Sequence, residues 1–240
     1  MPANGGETMR RKSYSHIFFD LDHTLWDFER NSAETLSELF EQHDLLRLGL
    51  QQQDFIQVYS DTNFELWNLY NRGLMSQEEL RSTRFPIVFE RLGLPRTLVP
   101  PSMGKEYLQR CPQKPYLIPH TLEVLEYLSQ HYQLHIITNG FPETQQVKLQ
   151  ASKINDYFAH VITSAEAQCK KPEPYIFDFL VQKLGTKPTE CLMIGDNLET
   201  DVQGAHNAGI DAVYFNPQNA PHRSKMRYEI TCLSRLKEIL

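Results

Sequence analysis

Ile17-Phe18-Phe19-Asp20-Leu21-Asp22-His23-Thr24-Leu25 is the stretch from which the rest of the chain is placed. A short continuous apolar run predicts a strand buried on both faces. It stops at once at Asp20-Leu21-Asp22, so the first carboxylate stands at the strand's carboxyl end. Two residues apart in extended chain, Asp20 and Asp22 project to the same face. Two close carboxylates repel unless a cation or a shared proton relieves them. Read alone, the segment also fits a turn whose carboxylates cap a helix.

Working outward, four further apolar runs read as strands: Leu134 to Thr138, His160 to Thr163, Cys191 to Ile194 and Ala212 to Phe215. Between them Leu122, Leu125 and Leu128 recur every three residues, and Glu143 to Ala151, Pro174 to Leu184 and Thr200 to Ala208 carry helical patterns. Strands alternating with helices predict an α/β fold of Rossmann-like, three-layer α/β/α type around a parallel five-stranded sheet. The carboxyl ends of such strands share one edge, where ligands bind.

From Phe28 to Cys111 the rhythm breaks. Ala33, Leu36, Leu39 and Phe40 share one helical face, Phe55, Tyr59, Leu66, Leu69 and Tyr70 a second, and Leu80, Val88, Phe89 and Leu92 a third. Residues 28–111 are therefore expected to form an inserted all-helical domain, with 14–27 and 112–240 making the sheet domain. Pro100-Pro101, Pro112, Pro115 and Pro119 mark the return. Met1 to Ser13 is polar and basic, and reads as a disordered tail or a start upstream of Met9.

Three later strand ends bear on Asp20 and Asp22. Thr138-Asn139-Gly140 offers a hydroxyl and backbone N–H groups to an anion, although Asn-Gly is also a plain turn signal. Lys170-Lys171-Pro172-Glu173-Pro174 puts a lysine just ahead of a helix that proline can open, or leaves two lysines on a solvated surface. Gly195-Asp196-Asn197-Leu198-Glu199-Thr200-Asp201 is an acidic loop whose Asp196 and Asp201 offer hard oxygen ligands suited to Mg²⁺, or simply cap the next helix. Each site has a bland alternative when taken alone. All of them, in this order at strand ends, do not.

Composition narrows the partners. The 240 residues are 40% hydrophobic and 22% charged, as in an ordinary globular protein. A net charge of -6 argues against binding a nucleic-acid polymer. Cys111, Cys169, Cys191 and Cys232 lack zinc-site spacing and read as thiols of a reducing cytoplasm. No run reaches the ~20 apolar residues of a membrane span. Monomer and homodimer stay equally open.

Taken together, Asp20/Asp22/Thr24, Thr138, Lys171 and Asp196/Asp201 match in order the four motifs of the haloacid dehalogenase-like superfamily, and the helical insert resembles its C1-type cap. The resemblance implies a Mg²⁺-dependent phosphatase in which Asp20 is the nucleophile and Asp22 the general acid and base. It implies that the main-chain carbonyl of Asp22 joins the side chains of Asp20 and Asp196 as metal ligands. Thr24 and Asp201 would support from just outside. Leu21 and Asn139, with Asp20, Asp22, Thr138 and Lys171, would surround the phosphoryl group. An aspartate at position 22 favours phosphoryl transfer over dehalogenation, while a phosphomutase keeps the same pair.

Trp26-Asp27-Phe28-Glu29-Arg30-Asn31, Thr138-Asn139-Gly140-Phe141 and Gln145-Gln146-Val147-Lys148-Leu149 resemble the pyrimidine 5′-nucleotidase branch of that superfamily. They imply a nucleoside monophosphate as substrate, with Phe28, Phe64, Trp67 or Tyr70 available to stack on a base unless these aromatics form the cap's own core. His23 fits a turn or a ligand contact. Lys171-Pro172-Glu173-Pro174 follows the superfamily's general form, which keeps a sugar- or other metabolite-phosphate phosphatase as the alternative. A catalytically silent phosphate-binding domain is the alternative of another class.

Overall fold

The computed structural model describes residues 14–224, 226 and 228–240, so the expected N-terminal tail lies outside the described residues. The elements run β1 (His16–Phe19), α1 (Phe28–Gln42), α2 (Gln52–Asn71), α3 (Gln77–Arg91), α4 (Met103–Arg110), α5 (Thr121–Ser129), β2 (Gln133–Thr138), α6 (Pro142–Ala151), β3 (Phe158–Thr163), α7 (Ser164–Ala167), α8 (Pro174–Leu184), β4 (Cys191–Gly195), α9 (Gly204–Asn207), β5 (Asp211–Phe215), β6 (Tyr228–Ile230) and α10 (Leu236–Ile239). A π-helical turn, Leu198–Gln203, leads into α9.

The strands form one parallel sheet in the order β3-β2-β1-β4-β5-β6. All five expected strands are present. The sheet is one strand wider than expected, because β6 adds to the edge of β5 through Val213–Tyr228, Tyr214–Glu229 and Phe215–Ile230. Three residues reading Tyr-Glu-Ile carry no apolar run, so their pairing leaves no mark in the local pattern.

Alternation along β1 explains the layers. Ile17 and Phe19 pack with Leu125, Leu128 and Leu149 of α5 and α6, while Phe18 faces Ile176, Phe177 and Leu180 of α8. Both faces of the strand are thus covered, which is why its residues are apolar without interruption. The chain order reverses at β1, between β2 and β4, and the crevice at such a switch point is where ligands bind.

Helices α1 to α4 intervene between β1 and α5, and are held together by Phe40, Phe55, Tyr59, Phe85, Phe89 and Tyr107. Asp27 caps α1 by accepting from Arg30 N at 3.0 Å. Ser76 and Glu79 cap α3 reciprocally in a capping box. Buried Asn31 joins the passage into the insert to the passage out of it. Its Nδ2 donates to Asp27 O and Tyr116 O, at 2.7 and 2.8 Å, and its Oδ1 accepts from Tyr116 N at 3.1 Å.

Candidate active site

Asp20 follows β1 directly and is fixed on the β1–β4 seam by its N–H, which donates to Ile194 O at 3.0 Å. The chain then reverses. Leu25 and Trp26 both donate to Leu21 O, and His23 adopts a left-handed φ of 62°. His23 is therefore a turn residue. Its ring also lies 4.9 Å from that of Phe28 and lines the cleft above the sheet. Neither Asp20 nor Asp22 caps α1; Asp27 does.

Lys171 is buried, with its side chain 2% exposed. Its Nζ donates to Asp20 Oδ1 at 2.5 Å and to Asp201 Oδ1 at 2.6 Å. Asp201 Oδ2 accepts from Asn197 N at 3.0 Å, and Thr24 Oγ1 donates to Asp196 Oδ1 at 2.8 Å. The acidic loop spends Asn197, not an aspartate, on capping: its side chain accepts from the N–H groups of Glu199 and Thr200. Asp196 and Asp201 stay available. Gly195 is needed here, since a Cβ on it would lie 2.3 Å from Asp201 Oδ2.

Carboxylate oxygens of Asp20, Asp196 and Asp201 lie within 4.8 Å of one another. Burial pushes the Asp20 carboxyl up to about 8; Lys171 opposes that rise, while Asp201 and Asp196 add to it. Burial, then Asp201, takes Asp196 up to about 7. With all three ionised, the carboxylates beside one ammonium would leave an excess of negative charge in a buried place, which is why burial holds the protons of Asp20 and Asp196 on. An oxygen-only donor set with that excess fits a hard divalent cation such as Mg²⁺. Of the three residues expected to hold a metal, Asp20 and Asp196 bring their side chains here. The third carboxylate in the cluster is that of Asp201; Asp22 was expected to offer its main-chain carbonyl, and its side chain turns elsewhere.

Two residues of the Gln145–Leu149 segment, to which the sequence reading gave no site role, draw it. Lys148 Nζ bonds Asp22 Oδ1 at 2.5 Å, and Gln145 Nε2 donates to Asp22 Oδ2 at 2.9 Å. Burial alone would raise the Asp22 carboxyl, but the Lys148 charge and these bonds outweigh it and hold the group below the usual carboxylate range. Gln145 and Lys148 sit one turn apart on α6, a spacing that places them on one face. That spacing, inside a segment already matched to the nucleotidase branch, was the available signal.

Gln145 Nε2 also donates to Thr138 Oγ1 at 2.8 Å, and Gly140 N–H donates to the same oxygen at 3.0 Å. Both N–H donors of the Asn139 side chain are used: Nδ2 donates to Lys171 O and Asn71 Oδ1, and Oδ1 accepts from Lys171 N. It holds the lysine backbone in place and leaves contact with an anion to the N–H groups of the turn.

Asp20, Asp22, Thr138, Asn139, Lys171, Asp196 and Asp201 line one cleft of about 960 Å³. On its far side α2 contributes Ser60, Asn63, Phe64, Trp67 and Asn71. The four aromatics considered for stacking divide. Trp67 is stacked on Phe141 at 5.4 Å, and Tyr70 meets both rings edge-on with Lys170 Nζ 3.3 Å over its own face. Phe28 packs beside His23 and Trp26. Phe64 is 66% exposed in the cleft wall.

Residues 14–209 match the family model described as haloacid dehalogenase-like hydrolase. The chain is 29% identical to the pyrimidine 5′-nucleotidase PynA of Streptococcus pneumoniae, over 90% of this chain and 91% of that protein. It is 34% identical to a glyceraldehyde 3-phosphate phosphatase of Pyrococcus abyssi, over 83% of this chain and 80% of that one. Among solved structures, magnesium-bound YfnB of Bacillus subtilis superposes with a TM-score of 0.84 at 27% identity, over 95% of this chain and 99% of that chain. No helix among the described residues is long and apolar enough to cross a membrane.

Proposed function

This chain belongs to the haloacid dehalogenase-like hydrolases, and on that premise we propose a Mg²⁺-dependent phosphatase that removes the 5′-phosphate of nucleoside monophosphates through an aspartyl-phosphate on Asp20. The observation that carries the reading is the grouping of Asp20, Asp196 and Asp201 around the Lys171 ammonium at the sheet's switch point.

In the first step an Asp20 carboxylate oxygen attacks phosphorus. The bond to the ester oxygen breaks, that oxygen keeps the electron pair, and Asp22 gives it a proton. Arrival of the phosphate's negative charge raises the proton affinity of Asp22, which prepares it as an acid. In the second step water attacks the phosphoryl group, passes a proton to Asp22, and the Asp20–phosphorus bond breaks to release inorganic phosphate. Splitting the displacement in two lowers each barrier.

Thr138 holds a phosphoryl oxygen through its hydroxyl proton, because both acceptor positions of Oγ1 are already filled from Gln145 and Gly140. The N–H groups of Leu21 and Asn139 add donors. Lys171 offsets the charge of nucleophile and phosphate. Asp20, Asp196 and the Asp22 carbonyl would hold the metal, with Asp201 and Thr24 orienting from outside that set. When bound, Mg²⁺ supplies a Lewis acid that neutralises phosphoryl charge.

The nucleotide is supported by the likeness to PynA and by Phe64, whose open ring in the cleft wall suits a base. Four unpaired thiols suit a cytoplasmic enzyme. A phosphomonoester panel with Mg²⁺ tests the proposal. Free phosphate and the highest kcat/KM on nucleoside monophosphates are expected, with no turnover by a folded Asp20→Asn variant. Preference for sugar phosphates over every nucleotide would overturn the substrate, and phosphorylated product without free phosphate would identify a mutase.

A further inference from the structure

We infer that Gln145 and Lys148 are positioning residues, which hold the Asp22 carboxylate in the orientation that proton transfer requires and tie it to the phosphate seat at Thr138. This rests on the reading of Asp22 as the acid and base.

Each oxygen of Asp22 has one fixed partner: Lys148 Nζ on Oδ1 at 2.5 Å and Gln145 Nε2 on Oδ2 at 2.9 Å. Two bonds from two directions set the plane of the carboxylate, which a single bond leaves free to turn. An ionised carboxylate has about four lone-pair sites, so each oxygen keeps one, able to carry the proton that is given to the ester oxygen or to accept one from water.

Neither holder is a surface accident. The Lys148 side chain is 7% exposed, with Nζ 4.5 Å over the buried Trp26 ring. Burying an ammonium costs several kcal/mol unless a partner compensates, and the carboxylate that pairs with Lys148 is Asp22. Gln145 is wholly buried. Its Nε2 is shared between Asp22 Oδ2 and Thr138 Oγ1, at 2.9 and 2.8 Å, so one amide sets the distance between acid and phosphate seat. Gly140 leaves it room, since a Cβ there would lie 1.8 Å from that nitrogen.

Leaving-group dependence distinguishes positioning from general support. An alkyl phosphate must have its departing oxygen protonated, whereas p-nitrophenolate leaves unaided. Gln145→Leu and Lys148→Met are compared with wild type and Asp22→Asn on both esters with saturating Mg²⁺. Expected is a loss of about 10²-fold in kcat/KM for the alkyl ester in each variant, within the range of general acid catalysis. For p-nitrophenyl phosphate the loss is at least about tenfold smaller, and a burst of p-nitrophenolate appears because water attack still lacks an oriented base. Equal losses on the two esters in Gln145→Leu and Lys148→Met, with Asp22→Asn selective, would overturn the inference and spare the role of Asp22. Equal losses in Asp22→Asn would overturn both. Gln145→Leu decides the matter if Lys148→Met does not fold.

Discussion

Lys171 Nζ stands 2.5 Å from Asp20 Oδ1, across 151 residues of chain, and no water reaches the pair from most directions because the lysine side chain is only 2% exposed. The strand that ends at Asp20 and the turn before α8 are thereby joined by a buried charge pair. Breaking such a pair strands a charge in the interior. Lys171→Met is expected to cost about 3–5 kcal/mol of stability and to end turnover. Urea unfolding measures the first; an unchanged midpoint would show that the carboxylates do not depend on this cation.

The crowded carboxylates are also expected to make folding stability depend on a divalent ion. Magnesium is expected to raise the thermal midpoint, by about 2.7 kcal/mol of stabilisation at a hundredfold excess over its Kd. In Asp196→Asn that rise should shrink sharply. Differential scanning fluorimetry over a Mg²⁺ series checks this apart from activity, and a wild type whose midpoint ignores Mg²⁺ would contradict it.

Gly195 carries the third prediction. A methyl group there would sit 2.3 Å from Asp201 Oδ2, so Gly195→Ala must push that carboxylate aside. Asp201 would then lose its bond from Asn197 N and its grip on Lys171. We expect kcat to fall at least about tenfold, the equivalent of ~1.4 kcal/mol in the barrier. Wild-type turnover in this variant would mean that Asp201 has no part in arranging the site.

A fourth prediction concerns acid stability, far from the cleft. His135 is buried on β2, with Nε2 3.2 Å from His16 Nδ1 and its ring stacked parallel to that of His160 at 5.5 Å. Burial, followed by its two histidine neighbours, takes its pKa from 6.5 down to about 3. The folded protein keeps this ring neutral where the unfolded chain binds a proton. Stability therefore falls as pH drops below about 6.5 and continues to fall toward about 3, by up to ~1.4 kcal/mol per pH unit from this group. His135→Phe should flatten the curve in that window. Parallel curves for variant and wild type, in urea unfolding from pH 7 to 4, would refute the assignment.

The apolar runs of the five longer strands were readable because burial on both faces marks every consecutive residue, whatever the rest of the chain does. Asp20, Thr138, Lys171 and Asp196 were readable for a related reason: a parallel sheet brings all strand ends to one edge, so their order along the chain already places them together. The short edge strand β6 left no such mark. Nor did Asn139's hold on the Lys171 backbone, or the division of the cleft aromatics into packed Trp67 and Tyr70 and open Phe64. Gln145 and Lys148 lie 123 and 126 residues from Asp22; the segment that holds them was matched to a family branch, but nothing local says that they face a carboxylate. Period and composition are properties of neighbours in the chain, whereas the partner of a buried polar group is chosen by how whole elements pack. Sequence alone therefore determined the five longer strands, the helical insert and the carboxylates at the strand ends, and tertiary structure decided which side chains hold those carboxylates and in what direction they point.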